Sequence, residues 1–453
     1  MSTERATIMR HAGTVMVGQL AVMAFSVTDT LVAGRFADTA LAALAVASAT
    51  YITVHISLMG MLQALLPVWA ELHGAQKNTE VGRSVRQALY LCALTSVIGM
   101  VALLCPEPLL NWTQVPPALQ SEVRSYLNIV AFGLPASLLF RMYSTLNQSL
   151  GKPKLVTWVQ VGALLVKIPL SILLVLGLPG VFPPLGLAGC AWATLVVMLL
   201  MLAMALWLIK TQDFYKPYRL WAPMEKPDKT VLWRFVCLGL PSGLAIGVEV
   251  TSFTLMSLFI ARLGIVATAS HQIVANMAAV LYMLPLSLAI ASSARVSYWI
   301  GAGENSRARH ALRTGLGLIL ALGIGVACLM GWQRHAIAAL YTESPEVAAL
   351  AAVLLVWLML YHAADAVQVF CVFALRSYGI TLLPLLTYAL LLWGLGLAGG
   401  YETAYGQGFE TALLSWLTPQ SPIAFWQTAS VALTITSAVL LPLLWRAAYR
   451  HKS

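Results

Sequence analysis

LMLYHAADAVQVFCVFALRSYG, residues 358–379, is an apolar run long enough to cross a bilayer, and it carries an aspartate, Asp365, near its middle. A bilayer interior of about 30 Å needs only about 20 helical residues. A carboxylate at that depth costs about 2.5–3.5 kcal/mol to insert, so it has to face a cavity or a partner inside the protein. At helical spacing Tyr361 and Gln368 lie on the same face as Asp365, one turn to either side. The result is a polar stripe on an otherwise apolar helix, suited either to binding or to pinning one helix to another.

The rest of the chain repeats this pattern. Of its 453 residues 60% are hydrophobic and only 10% charged, with a mean hydropathy of +0.81, which excludes an ordinary soluble domain. Twelve apolar runs qualify as spans: roughly 13–34, 44–72, 85–105, 124–149, 154–177, 186–209, 234–261, 266–299, 311–331, 347–376, 381–399 and 424–445. The net charge of +10 resides in short loops, without aromatic interleaving, and reads as membrane topology instead of nucleic-acid binding. On the side shared by both termini lie 20 of the 27 Lys and Arg, against four (Arg35, Arg124, Arg262, Arg334) on the other. That bias puts both termini in the cytoplasm. Arg141, Lys167 and Arg295 remain inside spans.

The halves resemble each other. GAQKNTEVGRSVRQAL at 74–89 matches GAGENSRARHALRTGL at 301–316, an offset of 227, and the turns around Gly151 and Gly379 match at 228. Two matches at nearly one offset indicate a duplicated six-span unit, and the even span number makes the copies parallel. The expectation is an all-α protein of two pseudo-symmetric lobes around a central cleft: an N-lobe at 1–209, a cytoplasmic linker at 210–233 and a C-lobe at 234–453. Pro67, Pro135, Pro169, Pro241 and Pro285 mark kinks within spans, and 400–423 reads as an ordered loop or interfacial helix.

Besides Asp365, two acids lie deep in spans. Asp29 shares span 1 with Gln19, Ser26 and Thr30, which should form a narrow inward polar face. Glu249 stands in span 7 between Ser242 and Ser252. Carboxylates with hydroxyl company suit Na⁺, and a buried carboxylate also suits H⁺, so either ion could be the driver. Lys167 in span 5 cannot remain charged and alone in an apolar lobe; Asp29 is the acid available to it. The six cysteines show no CxxC or Cys/His spacing, and His55, His271 and His362 are isolated, so no metal is expected beyond a transported Na⁺. No catalytic triad, phosphate loop or dinucleotide fingerprint is present, which argues against an enzyme, a cofactor or an ATP-driven pump.

The stretches VTDTLVAGRF around Asp29, LLPVWAELHGAQ after span 2, VEVTSF around Glu249, MLPLSLAIASSARVSYWIGAG in span 8 and AADAVQVFCVFALRSYG around Asp365 resemble the multidrug and toxic compound extrusion (MATE) family, in its NorM-like bacterial branch. The resemblance covers essentially the whole chain. It implies a multi-pass, monomeric antiporter of the bacterial inner membrane, in contact with membrane lipid, that expels cationic amphiphilic drugs in exchange for Na⁺ or H⁺. By position Asp29 is similar to the family's first-helix acid, and Glu249, Tyr361 and Asp365 to its C-lobe cation site. Tyr282 occupies a nearby aromatic position, and Tyr282, Gln368, Gln19 and Ser26 are candidates for the substrate cavity. One departure is local: family members commonly show NIPLN in span 5, where this chain reads KIPLS and places Lys167 and Ser171. The same resemblance sets spans 1 and 5 side by side, which makes a Lys167–Asp29 pair the expectation. A flippase for a lipid-linked precursor is the competing function; it would call for a basic cavity, and here three in-span bases are matched by three in-span acids.

Overall fold

The computed structural model describes residues 2–107, 117–178, 183–406 and 421–450, and its architecture is all-α. Among these residues twelve helices have the length and composition to cross a membrane. Spans 1–6 are Glu4–Phe36, Asp38–Gly74, Asn78–Leu104, Leu119–Ser149, Pro153–Leu176 and Leu187–Thr211. Spans 7–12 are Lys229–Ala261, Ile265–Gly301, Asn305–Trp332, Pro345–Arg376, Leu382–Tyr405 and Pro422–Arg450. Each coincides with an apolar run, but most are longer, because i→i−4 hydrogen bonding continues through polar ends that hydropathy does not register. Span 2 breaks after Gln63 and restarts at Leu66 with Pro67 in its first turn, where a missing N–H costs nothing. Of the expected outer segment at 400–423, the part to Tyr405 is helix continuing span 11, and 407–420 lies outside the described residues.

The repeat seen in the sequence is also a repeat of backbone geometry. After span 4 the Gly151 and Lys152 amides donate to the Gln148 and Asn147 carbonyls, and after span 10 the Gly379 and Ile380 amides donate to Arg376 and Leu375. Gly151 (φ +69°) and Gly379 (φ +72°) occupy the left-handed region that this helix ending requires. The turns after spans 2 and 8 agree in the same way: Gln76 and Lys77 bond back to His73 and Leu72, while Gly303 and Glu304 bond back to Ile300 and Trp299. Gln76 holds φ +60° where the second copy uses Gly303, and it offsets part of that strain by donating from its side chain to the His73 carbonyl at 3.3 Å.

The chain divides into two compact units, Thr14–Gly243, and Met1–Gly13 together with Leu244–Ser453. These bounds differ from lobes at 1–209 and 234–453, because spans 1 and 7 both change unit partway along the helix, at places within about three residues of equivalence by the repeat. The start of span 1 is held in its unit by Glu4, which receives two 2.8 Å hydrogen bonds from the Arg295 guanidinium and a longer one from the Trp299 indole. Arg295 is thus a paired charge.

The segment expected as a linker is a docked strap. Asp213–Tyr218 forms a 3₁₀ turn whose Tyr215 hydroxyl donates to Asn147 at 2.7 Å. A side chain at Gly82 would collide with the Tyr218 carbonyl, so glycine there lets the strap lie directly on span 3. Arg86 grips Glu225 with both ends of its fork and donates to the Arg219 carbonyl at 2.6 Å. Gln87 bonds the Lys226 carbonyl and the Asp228 amide, and Tyr90 donates to the Glu225 carbonyl. Asp228 then caps span 7 by accepting from the Thr230 and Val231 amides.

The Arg86 hydrogen bonds hold the Glu225 carboxyl at about 2, below the ordinary 4.5. A depressed carboxyl stabilises the docked strap above the unfolded value and loses that contribution as pH falls through about 2. Protease protection of 212–228 in the detergent-solubilised protein is therefore expected to be flat between about pH 8 and pH 5. Arg86→Ala should expose the strap to cleavage throughout that range, and an unchanged digestion pattern in this variant would show that Arg86 does not hold it.

Candidate functional site

In the Thr14–Gly243 unit, Asp29 is 6% exposed and Lys167 1%. The Lys167 ammonium stands 2.8 Å from Asp29 Oδ1. Its other donors reach the Thr194 hydroxyl at 2.6 Å and the Cys190 carbonyl at 3.4 Å, so all three N–H groups have acceptors. Asp29 also accepts from Ser171 at 3.1 Å and from Thr194 at 3.3 Å. The carboxylate is thereby ringed by donors from spans 5 and 6, with a tethered cation already in place. Span 1 does not turn its whole polar row inward: Ser26 and Thr30 are exposed and Gln19 half-buried. At 100° per residue, Ser26 and Thr30 diverge from Asp29 by about 60° and 100°, enough to separate them from the buried carboxylate.

The other unit is built differently. Asp365 is 4% exposed and accepts from the Gln368 amide at 2.9 Å, an i,i+3 bond along span 10 that leaves Gln368 Oε1 without a partner. Glu249, on span 7, makes neither a hydrogen bond nor an ion pair among the described residues, and it lies within electrostatic reach of Asp365 and Arg376. It borders a small cavity whose walls include Ser252, Phe253, Met256 and Tyr361. Tyr361 therefore shares a wall with Glu249, and Tyr282, half-buried on span 8, lies within reach of both acids. Gly396, Ala429 and Ala432 are also among its walls, and their small size leaves space there.

Span 11 contributes through an irregularity. Ala389–Ala398 winds as a π-helix, a form that concentrates at functional sites because its wider turns shift the carbonyls. The Leu392 carbonyl accepts from Ser252, and the Trp393 indole donates to Val248 at 3.2 Å. Thr428 donates to the Gly396 carbonyl at 2.8 Å. The irregular stretch is thus bonded to spans 7 and 12 around the cavity.

Thr194, Arg376 and this π stretch are parts of the two candidate sites that sequence reading missed. Arg376, one of the 20 basic residues that the loop bias assigns to the cytoplasmic side, is the last residue of span 10 and 4% exposed. Its guanidinium lies over the Phe373 ring at 4.4 Å, with Nε and Nη1 unpartnered. A basic residue at the end of an apolar run carries the same signal whether its side chain leaves the membrane or folds back. Thr194 bonds its own helix at Cys190, as many membrane threonines do, and nothing in LAGCAWATLVV marks it. Among the described residues no cluster of His, Cys, Asp and Glu could hold a metal ion.

Removing one partner of a buried ion pair costs about 3–5 kcal/mol, because the other charge is left uncompensated. Lys167→Ala is expected to lower the melting temperature markedly, and Lys167→Ala combined with Asp29→Ala to restore part of the loss. Additive melting shifts across this double-mutant cycle would show that the two charges do not depend on each other.

The MatE family model matches the chain twice, at residues 15–173 and 241–401, in step with the internal repeat. Over 447 residues the chain is 38% identical to a probable multidrug resistance protein NorM of Aromatoleum aromaticum, covering 98% of this chain and 94% of that protein. It is 33% identical over 440 residues to the multidrug resistance protein PmpM of Pseudomonas aeruginosa, covering 97% and 91%. Among solved structures, the eukaryotic MATE transporter AtDTX14 superposes with a TM-score of 0.84 at 17% identity, over 99% of this chain and 98% of that one. The Vibrio cholerae MATE transporter VcmN in its bent form gives 0.84 at 16% identity over the same shares. At such identities these superpositions establish the fold. Together with the doubled family match they show that this twelve-span, non-enzymatic membrane protein belongs to the MatE family of transporters.

Proposed function

We propose that the chain is a multidrug efflux antiporter that carries organic cations out of the cell in exchange for Na⁺ or H⁺, by alternating access of its two six-span lobes. The observation that carries this reading is an asymmetry between the two in-span acid sites. Asp29 is closed by its own lysine at 2.8 Å, whereas Glu249 has no hydrogen-bond or ion-pair partner among the described residues and borders a cavity lined by Phe253, Met256 and Tyr361. An unpartnered carboxylate beside aromatic and thioether side chains suits a cation that carries apolar surface, with cation–π contacts worth about 0.5–2 kcal/mol. The same carboxylate, with the oxygens of Ser252 and Tyr361 in the cavity wall, could receive a hard cation, or a proton could neutralise it. Glu249 and Asp365 are then the coupling pair, with Tyr361 and Tyr282 beside them and Gln368 orienting Asp365. The multidrug resistance names of the relatives at 33–38% identity agree with this reading.

The proposal includes a monomer in the bacterial inner membrane with both termini cytoplasmic, following the bias of basic loops. A precursor flippase is disfavoured: of the in-span bases Lys167 and Arg295 are taken up by ion pairs, and Arg376 lies within electrostatic reach of Glu249.

The deciding experiment is efflux of an organic cation from proteoliposomes under separately imposed Na⁺ and proton gradients. Wild-type protein is expected to respond to one gradient. Asp365→Asn and Glu249→Gln should each reduce gradient-driven transport by at least about a hundredfold, about 2.7 kcal/mol of lost coupling. Wild-type rate and ion dependence in Asp365→Asn would remove that residue from the coupling pair, and an absence of cation transport under either gradient would refute the antiporter.

A further inference from the structure

A hydrogen-bonded chain runs from Trp426 and His271, neither of which lines the cavity, to the wall residue Phe253. His271 of span 8 is 1% exposed and Trp426 of span 12 is fully buried. The Trp426 indole N–H donates to His271 Nδ1 at 3.3 Å. An indole only donates, so Nδ1 is the acceptor and the neutral imidazole carries its proton on Nε2. That proton points to the Ser257 hydroxyl at 2.8 Å, and Ser257 in turn donates to the Phe253 carbonyl at 3.1 Å. The sequence Trp426 to His271 to Ser257 to Phe253 has one donor and one acceptor at each step, leaving no alternative proton arrangement.

Both aromatic walls of the cavity rest on this chain. Tyr361 packs edge-on against Trp426 with ring centroids 5.5 Å apart. Phe253 lies 6.1 Å from Trp426, again edge-on, and 6.1 Å from the His271 ring. These separations lie in the range where aromatic pairs hold one another in a preferred orientation. His271 and Trp426 do not line the cavity themselves, so any effect they have on a bound molecule passes through Phe253 and Tyr361.

We propose that His271 is a positioning residue: through its Nδ1 bond to Trp426 it sets the two aromatic faces of the Glu249 cavity, and with them the preference of that cavity for aromatic over aliphatic cations. This deepens the proposed function and rests on it for the identity of the ligand, but not for the positioning itself. The two nitrogens of His271 have separable mimics. An asparagine oxygen, two bonds beyond Cβ, can accept from Trp426 as Nδ1 does. A glutamine amide, one bond longer, reaches toward Ser257 in place of Nε2 and leaves the indole unpartnered.

The test compares His271→Gln, His271→Asn and Trp426→Phe, each labelled with 5-fluorotryptophan and titrated in detergent with ethidium and with tetraethylammonium. The fluorine resonance missing from Trp426→Phe identifies that indole. It should be shifted in His271→Gln and close to wild type in His271→Asn, without any cation added. Ethidium affinity should fall about tenfold in His271→Gln and in Trp426→Phe, and tetraethylammonium affinity by less than about twofold, since what is lost is aromatic contact. His271→Asn should keep both affinities. If His271→Gln fails to fold, Trp426→Phe still reads the same selectivity from the other end of the bond. Equal effects of Gln and Asn, an unmoved indole resonance in His271→Gln, or unchanged ethidium affinity in Trp426→Phe would each overturn the proposal. A wild-type protein that binds neither cation yet shows the fluorine pattern would defeat the functional reading and leave the positioning role standing.

Discussion

Most of this structure answers one constraint: within a bilayer there is no water to satisfy a charge or a backbone group, so each must find its partner in the protein. The interior charges meet it in two ways. Lys167 with Asp29, and Arg295 with Glu4, are closed pairs, and in the first every ammonium N–H has an acceptor. Glu249, Asp365 and Arg376 are gathered in one region without forming such a pair. Glu249 and Arg376 lie within electrostatic range of each other, and two nitrogens of Arg376 are unpartnered. A closed pair contributes order. An open set leaves its charges without direct partners among the described residues.

The duplication sharpens this contrast. The two copies agree down to individual amide bonds at the turns after spans 2 and 8, and after spans 4 and 10. They disagree at the acids. One copy has a carboxylate neutralised by the lysine of its KIPLS motif, and the other has a carboxylate beside a cavity. Turn geometry is constrained by steric limits common to both copies, whereas the chemistry at mid-span depends on single side chains.

The docked strap adds a consequence for packing. Arg86, Gln87 and Tyr90 hold residues 219–228 against span 3, and Asp228 leads straight into span 7, so the polar connection between the repeats is packed within the Thr14–Gly243 unit.

The sequence by itself determined the twelve spans, their grouping into a duplicated six, the turns at Gly151 and Gly379, and the short set of interior acids and bases. These follow from transfer free energy and chain length, which are properties of contiguous residues. Only the tertiary structure decided which charges meet. Asp29 and Lys167 lie far apart in sequence, and the Thr194 hydroxyl that joins them has no signature of its own. It likewise decided that Arg376 folds back into the protein, that residues 212–228 dock, and that His271 stands behind Tyr361 and Phe253 through Trp426. Each of these depends on the rotation of one helix against another. Hydropathy cannot report that rotation, because all faces of a membrane helix are apolar and the polar exceptions are too few to establish its angle.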